Sequence, residues 1–432
     1  MYKTCKHLEE SLYIAPNEIR ACCQRFFYKG KLRGDAKLID IVDGKTPTTE
    51  DLLNSRNKVF EEIQNDKKEE CLGCPLLRKV DQKPKINSKI KFLSIEHHSV
   101  CNLRCSYCSD VYYGGVRSKY NIVEFISYLS KNNSLDNCYQ VVWGGGEPTL
   151  DKSFEQILEA IEKHANPNIY HRVFTNSSRF SPAIKKYLEK NLIKIVTSID
   201  AGTAEVFQKV RGRSKLKEVL ENLKIYSSVD SSKITIKYIF TNDNSDYEEL
   251  DKFIENLVQY NLLNCNFQIS FDYKKDKIDL IRLKSICYLF GKLIQQGCKR
   301  IFLDDHVVSR FVTLDQKSVN EIKDFLKIHS MEDVIIDNLK EKDLIIFGAG
   351  RISAEIIEKA NFFKRLDNFY IVDSDPSKVG EVFKGKKIMP IDFLKENNYR
   401  VYIGAAQSYD DIFKVVKNIK SDTKSIINGI LI

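Results

Sequence analysis

The sequence predicts an α/β protein whose central domain carries a parallel sheet, flanked by a small cysteine-rich segment and a second, smaller α/β domain. Between residues 91 and 271, six runs rich in β-branched residues alternate with amphipathic helical patterns. This order is typical of strand–helix–strand units with right-handed crossovers. Eight of the twelve cysteines fall within the first 108 residues, and a glycine-rich turn follows an apolar run near residue 348.

Composition excludes several classes of protein. With 43% hydrophobic and 29% charged residues over 432 positions, the chain is neither disordered nor too short for several cores. The net charge of +9 is spread along the chain, so no nucleic-acid-binding arm is expected. No apolar stretch approaches the ~20 residues of a membrane span, and the start MYKTCKHLEE lacks secretory features. We therefore expect a cytoplasmic protein with no membrane or nucleic-acid partner.

Residues 1–85 are expected to form the cysteine-rich segment. They contain short helical and turn-like pieces and end in the polar stretch DQKPKINSK. Because the cytosol keeps thiols reduced, clustered cysteines indicate metal binding rather than disulfides. A metal would also supply folding energy that so small a segment lacks.

The central domain is expected over residues 86–330. The predicted strands are 91–96, 140–144, 168–175, 194–199, 233–240 and 266–271. The predicted helices lie near 121–131, 153–164, 181–190, 215–226, 246–260, 276–296 and 315–329.

Directly after the first of these strands, Cys101, Cys105 and Cys108 stand in C-x3-C-x2-C spacing. Three thiolates in one loop can bind three irons of a cubane cluster and leave the fourth iron without a protein ligand. An open coordination position allows chemistry rather than electron transfer alone. A zinc site is the alternative, although zinc normally takes four ligands that often include C-x2-C pairs.

This loop resembles the cluster motif of the radical S-adenosylmethionine (radical SAM) superfamily, and the resemblance extends over roughly residues 90–275. Tyr107 occupies the aromatic position before the last cysteine, and VVWGGGEPTL (141–150) matches the family's GGEP segment. VFTNSS (173–178) and SIDAGT (198–203) match family positions that line the cofactor. The resemblance implies that SAM is bound by the following residues: Tyr107, Gly145, Gly146, Glu147, Asn176, Ser198 and Asp200.

The resemblance implies a partial (βα)6 barrel whose active site lies at the carboxyl ends of the strands. It implies a SAM-binding 4Fe–4S cluster that receives an electron from a donor such as flavodoxin or ferredoxin. SAM would then be cleaved to methionine and a 5′-deoxyadenosyl radical, which takes a hydrogen atom from a substrate C–H bond. Glu147 would orient the methionyl amino group, and Ser198 and Asp200 the methionyl or ribose oxygens. Arg211 either pairs with the methionyl carboxylate or is an exposed residue at a helix end.

The remaining N-terminal cysteines form a second group. CKHLEESLYIAPNEIRACC and ECLGCP resemble parts of the auxiliary-cluster modules called SPASM or twitch domains. The resemblance implies one further 4Fe–4S cluster, held by Cys5, Cys22 or Cys23, Cys71 and Cys74. In the family these modules usually follow the barrel, whereas this segment precedes it. A structural zinc site with the same thiolates is the alternative.

The C-terminal domain, residues 335–432, carries Gly348, Gly350 and Ser353 in G-x-G-x-x-S form between a predicted strand (343–350) and a helix. Such a turn lets a phosphate approach the helix amino end, and Asp373 stands where an acidic residue can bind ribose. This Rossmann-like domain resembles small α/β domains appended to enzymes of nucleotide-sugar and polysaccharide synthesis, which implies a nucleotide or nucleotide-sugar ligand. The alternative is an empty domain used for dimerisation or docking.

The sequence therefore predicts a radical SAM oxidoreductase or epimerase-type enzyme acting on a carbohydrate or nucleotide-activated sugar. Peptide modification by a radical SAM maturase is the second hypothesis. A non-catalytic metal-binding docking protein is the third, and the intact cysteine and GGGEP motifs argue against it.

Overall fold

The computed structural model describes residues 1–42, 44–108, 115–275, 277–336, 344–360, 363, 366, 368–395, 399–405, 408–420 and 426–431. The chain divides into two compact units: unit one is Met1–Arg104 with Cys108–Val196, and unit two is Cys105–Tyr107 with Thr197–Ile432. Two positions within predicted elements, Asp276 and Asp343, lie outside the described residues.

Unit one contains the cysteine-rich segment and the first part of the predicted barrel. Its strands are β1 (Tyr2–Thr4), β2 (Ser11–Ile14), β3 (Glu18–Arg20), β4 (Arg25–Tyr28), β5 (Lys31–Gly34), β6 (Lys37–Asp40), β7 (Arg78–Val80), β8 (Phe92–Ile95), β9 (Gln140–Trp143), β10 (Tyr170–Phe174) and β11 (Ile193–Ser198), which ends in unit two. Its helices are α1 (Lys6–Glu10), α2 (Thr49–Gln64), α3 (Ile122–Lys131), α4 (Phe154–His164) and α5 (Pro182–Glu189).

The main sheet of unit one has the order β11-β10-β9-β8-β2-β3-β6. The pairs from β11 to β2 are parallel, whereas β2-β3 and β3-β6 are antiparallel. The hairpin β2–β3 between Cys5 and Cys22 thus extends the sheet that contains the predicted barrel strands. All four residues of β2 are buried, as expected for a strand inside a sheet.

Helix α2 is longer than the short helical pieces predicted for the N-terminal segment. A capping box formed by Thr48 and Asp51 starts it, and its 16 residues bury Val59 and Phe60 in an apolar cluster. The buried Arg56 donates hydrogen bonds to the backbone carbonyls of Ser11 at 2.7 Å and of Asn87 and Lys89. The segment therefore has an apolar core and is tied to β2.

Unit two contains the rest of the predicted barrel and the C-terminal domain. Its strands are β12 (Ile234–Phe240), β13 (Asn266–Phe271), β14 (Ile301–Leu303), β15 (Ile335–Ile336), β16 (Leu344–Phe347), β17 (Phe369–Val372), β18 (Val382–Phe383), β19 (Lys386–Met389), β20 (Arg400–Ile403) and β21 (Ile430–Leu431). Its helices are α6 (Ala204–Arg211), α7 (Leu216–Asp230), α8 (Tyr247–Gln259), α9 (Leu280–Gln295), α10 (Asp305–Phe311), α11 (Gln316–Ile328), α12 (Arg351–Lys359) and α13 (Tyr409–Ile419).

Strands β12, β13 and β14 of unit two pair in parallel, and the C-terminal domain has its own sheet in the order β18-β19-β17-β16-β20. The core of that domain is apolar, and the ring of Phe302 in β14 stacks on Tyr409 at 5.0 Å between centroids. The predicted fold class is confirmed as α/β with a large, mostly parallel sheet. The domain limits 1–85, 86–330 and 335–432 remain predictions. In the part of the chain that the structure describes, no helix has the length and apolarity needed to cross a membrane.

Candidate active site

The glycine-rich segment after β9 runs against the chain that leads from β8 into the cysteine motif. The N–H groups of Gly144, Gly146 and Glu147 donate to the carbonyls of Ile95, His98 and Val100 at 2.8–3.1 Å. A Cβ added at Gly146 would lie 2.2 Å from the carbonyl oxygen of Val100. The backbone approach therefore needs glycine, and it places the GGGE segment directly beside the residues preceding Cys101.

Glu147 is buried, and its carboxylate holds the end of β10. It accepts hydrogen bonds from the hydroxyls of Thr149 at 2.7 Å and Thr175 at 2.8 Å, and from the backbone N–H of Asn176 at 2.6 Å. Burial raises the pKa of Glu147, and these hydrogen bonds counteract the rise. In this structure the side chain fixes two loops at the carboxyl ends of β9 and β10, and its role toward a methionyl amino group remains a prediction.

Asn176 connects that end of β10 to the cysteine loop. Its Nδ2 donates to Oδ1 of Asn102 at 2.8 Å and lies 3.7 Å from Sγ of Cys101. The next residue, Ser177, has a φ of +51°, which turns the chain sharply after the strand. The structure thus brings Asn176, Glu147, Gly146 and Cys101 together, as the order of the motifs predicts.

Thiol accessibility in the motif fits metal binding. Cys101 is exposed, and Cys105 and Cys108 are half-buried. A reactive thiolate needs such accessible surroundings, whereas the four later cysteines, Cys138, Cys265, Cys287 and Cys298, are buried. Three accessible thiols in C-x3-C-x2-C spacing make a donor set that fits an iron–sulfur cluster with one open iron, and the amide of Asn176 lies at the first of them, Cys101.

Unit two contains a buried network around Asp200 at the loop after β11. Oδ2 of Asp200 accepts a hydrogen bond from the Tyr107 hydroxyl and an ion-paired hydrogen bond from Arg211 at 2.9 Å, and Oδ1 accepts one from the N–H of Ile239 at 2.7 Å. Arg211 also contacts the Tyr107 hydroxyl. Burial raises the pKa of Tyr107 well above its ordinary value, so this hydroxyl stays protonated and donates.

The surroundings of Asp200, Arg211 and Ser198 bear on the roles expected of these residues. Both carboxylate oxygens of Asp200 are occupied by protein donors, and Arg211 is buried rather than exposed at a helix end. Ser198, the last residue of β11, is half-buried. The predicted contacts of Ser198 and Asp200 with the cofactor remain predictions.

The N-terminal thiols of Cys5, Cys22, Cys71 and Cys74 line one small cavity in unit one. Burial raises the pKa of Cys5 to about 11 and of Cys71 to about 12, and the neighbouring thiols of the group add to both shifts. Of the adjacent pair, Cys22 lines the cavity and the exposed Cys23 does not, and the choice of ligand between them remains a prediction.

In the C-terminal domain the glycine turn lies between β16 and α12, as predicted. Gly348 has a φ of +107°, and a Cβ added at Gly350 would meet no atom within 4 Å. Asp373 accepts hydrogen bonds from the N–H of Ala349 at 2.7 Å and from Nζ of Lys378 at 3.0 Å. Ser353 donates to the carbonyls of Gly348 and Gly404, which packs α12 closely against the sheet.

A group that the sequence did not single out lies beside the glycine segment. His97 and His98, directly after β8, and Asp151, which follows the GGGEP motif, have ligand atoms within 4.8 Å of one another. The paired histidines, four and three residues before Cys101, are a visible signal in the sequence. Their connection to Asp151, however, depends on how the two loops pack.

Residues 95–255 match the family described as the Radical SAM superfamily. GTP 3′,8-cyclase of Klebsiella pneumoniae subsp. pneumoniae is 26% identical over 170 residues, covering 38% of this chain and 51% of the relative. GTP 3′,8-cyclase of Pasteurella multocida is 29% identical over 158 residues, covering 36% and 46%. The chain therefore spans about half the length of the curated relatives it matches.

The solved structures that this chain resembles include two with bound S-adenosylmethionine. Streptococcus suis SuiB bound to S-adenosylmethionine is 18% identical with a TM-score of 0.42, covering 63% of this chain and 60% of that one. Native anSMEcpe with bound AdoMet is 20% identical with a TM-score of 0.39, covering 52% and 66%.

Proposed function

Residues 95–255 of this chain are a radical SAM domain, and we propose that the protein is a radical SAM enzyme acting on a carbohydrate or nucleotide-activated sugar by oxidation or epimerisation. The family uses a 4Fe–4S cluster and SAM. One observation carries the proposal: the GGGE segment lies against the chain entering the cysteine motif, and Asn176 Nδ2 lies 3.7 Å from Cys101 Sγ. Motifs far apart in sequence are thus assembled at the carboxyl ends of β8, β9 and β10, where parallel α/β folds place active sites.

The residues of the chain have distinct tasks in this proposal. Cys101, Cys105 and Cys108 hold the cluster, which together with SAM supplies reductive cleavage of a carbon–sulfur bond and hydrogen abstraction from a C–H bond. Gly145 and Gly146 let the backbone of the GGGE segment pass close to the chain that leads into the cysteine motif, because a Cβ at either position would collide with the carbonyl of His98 or Val100. Glu147 keeps the ends of β9 and β10 at a fixed spacing through buried hydrogen bonds, so the edge is organised before a ligand binds.

We also propose that Cys5, Cys22, Cys71 and Cys74 hold an auxiliary 4Fe–4S cluster. These four thiols line one cavity, and each is half-buried. A cubane cluster takes one thiolate on each of its four irons, whereas the zinc alternative takes the same four thiolates on one ion.

Two observations support a nucleotide-bearing substrate. The open space at Gly350 lies at the amino end of α12, which favours a phosphate. The curated relatives matched over the radical SAM domain are named for a reaction of GTP. A nucleotide sugar that binds this turn should raise the melting temperature of the full-length protein. Gly350→Val should abolish the shift, because a Cβ at this position meets no protein atom within 4 Å and the branched side chain would fill the space for a phosphate.

Label transfer tests the proposed function and its peptide-modifying alternative together. The reconstituted, reduced protein is incubated with SAM and with nucleotide sugars deuterated on the sugar carbons. We expect deuterium in the 5′-deoxyadenosine released, and no release above the substrate-free rate with unrelated peptides. Deuterium transfer from a peptide panel and none from the sugars would reject the carbohydrate assignment. No 5′-deoxyadenosine under any condition would reject radical SAM chemistry.

A further inference from the structure

Unit one contains a second cavity, which unlike the one at the N-terminal cysteines has a polar wall and lies beside the glycine segment. Its volume is about 200 Å³, and its wall includes His97, His98, Asp151, Arg117 and Asn121. The predicted cofactor residues are absent from this wall. Nothing in the proposed reaction requires it.

The histidine and carboxylate groups in its wall have the chemistry of metal ligands. Nε2 of His97 lies 2.6 Å from Oδ2 of Asp151, and the rings of His97 and His98 meet edge to face at 4.7 Å between centroids. Each histidine is 6% exposed, and the Nδ1 of each is buried without a hydrogen-bond partner among the described residues. Leaving two ring nitrogens unpaired in a buried polar site costs free energy that a bound ion would recover.

The protonation states suit a cation. Burial lowers the pKa of His98 to about 4, so its ring is neutral at physiological pH and has a lone pair available. Burial raises the pKa of Asp151, but its hydrogen bonds with His97 and the backbone N–H of Ser153, together with the adjacent imidazoles, outweigh that effect and leave the pKa below its usual value. The group therefore offers the neutral ring of His98 and an ionised carboxylate, with the ring of His97 beside them.

We propose that His97, His98 and Asp151 bind a divalent transition-metal ion, with its remaining coordination positions facing the cavity. Two histidines and one carboxylate form a recurrent ligand set for such ions. Ligand atoms around zinc stand roughly 3.3 Å apart. The ligand atoms here lie within 4.8 Å of one another, so small side-chain rotations are sufficient. Arg117 would favour an anionic group on the open side of the ion.

Zinc binding to the full-length protein tests this site. The iron–sulfur clusters are reconstituted first so that the cysteines are occupied, and bound zinc is then measured by equilibrium dialysis and elemental analysis. We expect one zinc per chain in the wild type. Binding should weaken in Asp151→Asn and His98→Ala by more than the roughly 10–100-fold that loss of a supporting group costs. His164→Ala, which removes an exposed histidine, should bind like the wild type.

Two further measurements keep the test decisive. Asp151→Asn retains an oxygen at His97, so the loop should stay folded, which circular dichroism checks. X-ray absorption at the zinc edge should show nitrogen and oxygen ligands at about 2.0–2.2 Å, without sulfur at about 2.3 Å. Absence of bound zinc, sulfur ligation, or equal binding by wild type and both variants would overturn the proposal and leave His97–Asp151 as a structural pair.

Discussion

The hydroxyl of Tyr107 donates a hydrogen bond to Oδ2 of Asp200 at 2.5 Å, although the two residues are 93 positions apart in the sequence. It connects the residue before the last motif cysteine to the loop after β11. Asp200 adopts a φ of +61°, a conformation that aspartate tolerates better than most residues. Arg211 completes the group from the end of α6, so a neutral donor and a cation together stabilise one buried carboxylate.

Removal of that hydroxyl should destabilise the protein without removing iron ligands. Tyr107→Phe deprives Asp200 of one of its protein donors in a buried site, which should cost about 1–3 kcal/mol. We expect a lower urea midpoint and an unchanged iron content after reconstitution. Tyr273→Phe, which alters a side chain that is 58% exposed, is the matched control. A Tyr107→Phe midpoint equal to that of the control would contradict the assigned role.

Gly146→Ala should impair SAM binding, because the added Cβ would meet the Val100 carbonyl at 2.2 Å and push the GGGE segment away from the cysteine loop. We expect at least a tenfold rise in the Kd for SAM, measured by equilibrium dialysis on reconstituted protein with its iron counted. Gly350→Ala adds the same methyl group where no atom lies within 4 Å and should leave SAM affinity unchanged. If Gly146→Ala bound SAM with the affinity of the wild type, the close contact between Gly146 and the Val100 carbonyl would not be needed for SAM binding.

Acid should destabilise unit one through His171. This residue is fully buried, accepts a hydrogen bond from Nε1 of Trp143 at 3.1 Å, and burial lowers its pKa to about 3. The unfolded chain binds a proton near pH 6.5, so this contribution to stability is present above that pH and is lost as the pH falls toward 3.

Between pH 6.5 and 4 the loss should reach roughly 3 kcal/mol. His171→Gln keeps an acceptor for Trp143 and cannot take up the proton, so its urea midpoint should decline less steeply with acid. The exposed His164→Gln should decline like the wild type. Equal slopes for all three proteins would refute the assignment.

Metal content should separate the two hypotheses for the N-terminal cysteines. With an auxiliary cluster, the reconstituted wild type should hold about eight irons, and the Cys101/Cys105/Cys108 triple alanine variant about four. Replacing Cys5, Cys22, Cys71 and Cys74 should remove the other four, whereas Cys23→Ala should change nothing. Four irons in the wild type and one zinc that is lost with the N-terminal cysteines would establish the zinc alternative.

The sequence was sufficient for elements and motifs whose signals are local. All six predicted barrel strands exist within two residues of their expected limits, because each is a short run rich in β-branched and aromatic residues, as in Ile234–Phe240. Helix α6 and strand β14 were not predicted, since eight and three residues give too few repeats of a hydrophobic pattern. The extension of the sheet by β2 was also missed, because strand partners are chosen by tertiary packing.

Prediction of the candidate site from the sequence had the same limit, because contacts set by tertiary packing could not be predicted. Spacing located Cys101, the resemblance to the radical SAM family located Glu147 and Asn176, and the structure brings the three together. Spacing could not reveal that protein donors occupy both oxygens of Asp200, or that His98 shares a cavity with Asp151. Each of these depends on side chains from elements distant in sequence.

Reductive cleavage of SAM tests the central claim most directly. Wild type, the Cys101/Cys105/Cys108 triple alanine variant and the Cys23→Ala control are reconstituted with iron and sulfide without oxygen. They are then reduced in the presence of SAM and assayed for 5′-deoxyadenosine. The account predicts product from wild type and Cys23→Ala and none from the triple variant, with circular dichroism showing that all three are folded. Product from a folded triple variant at the wild-type rate would contradict it.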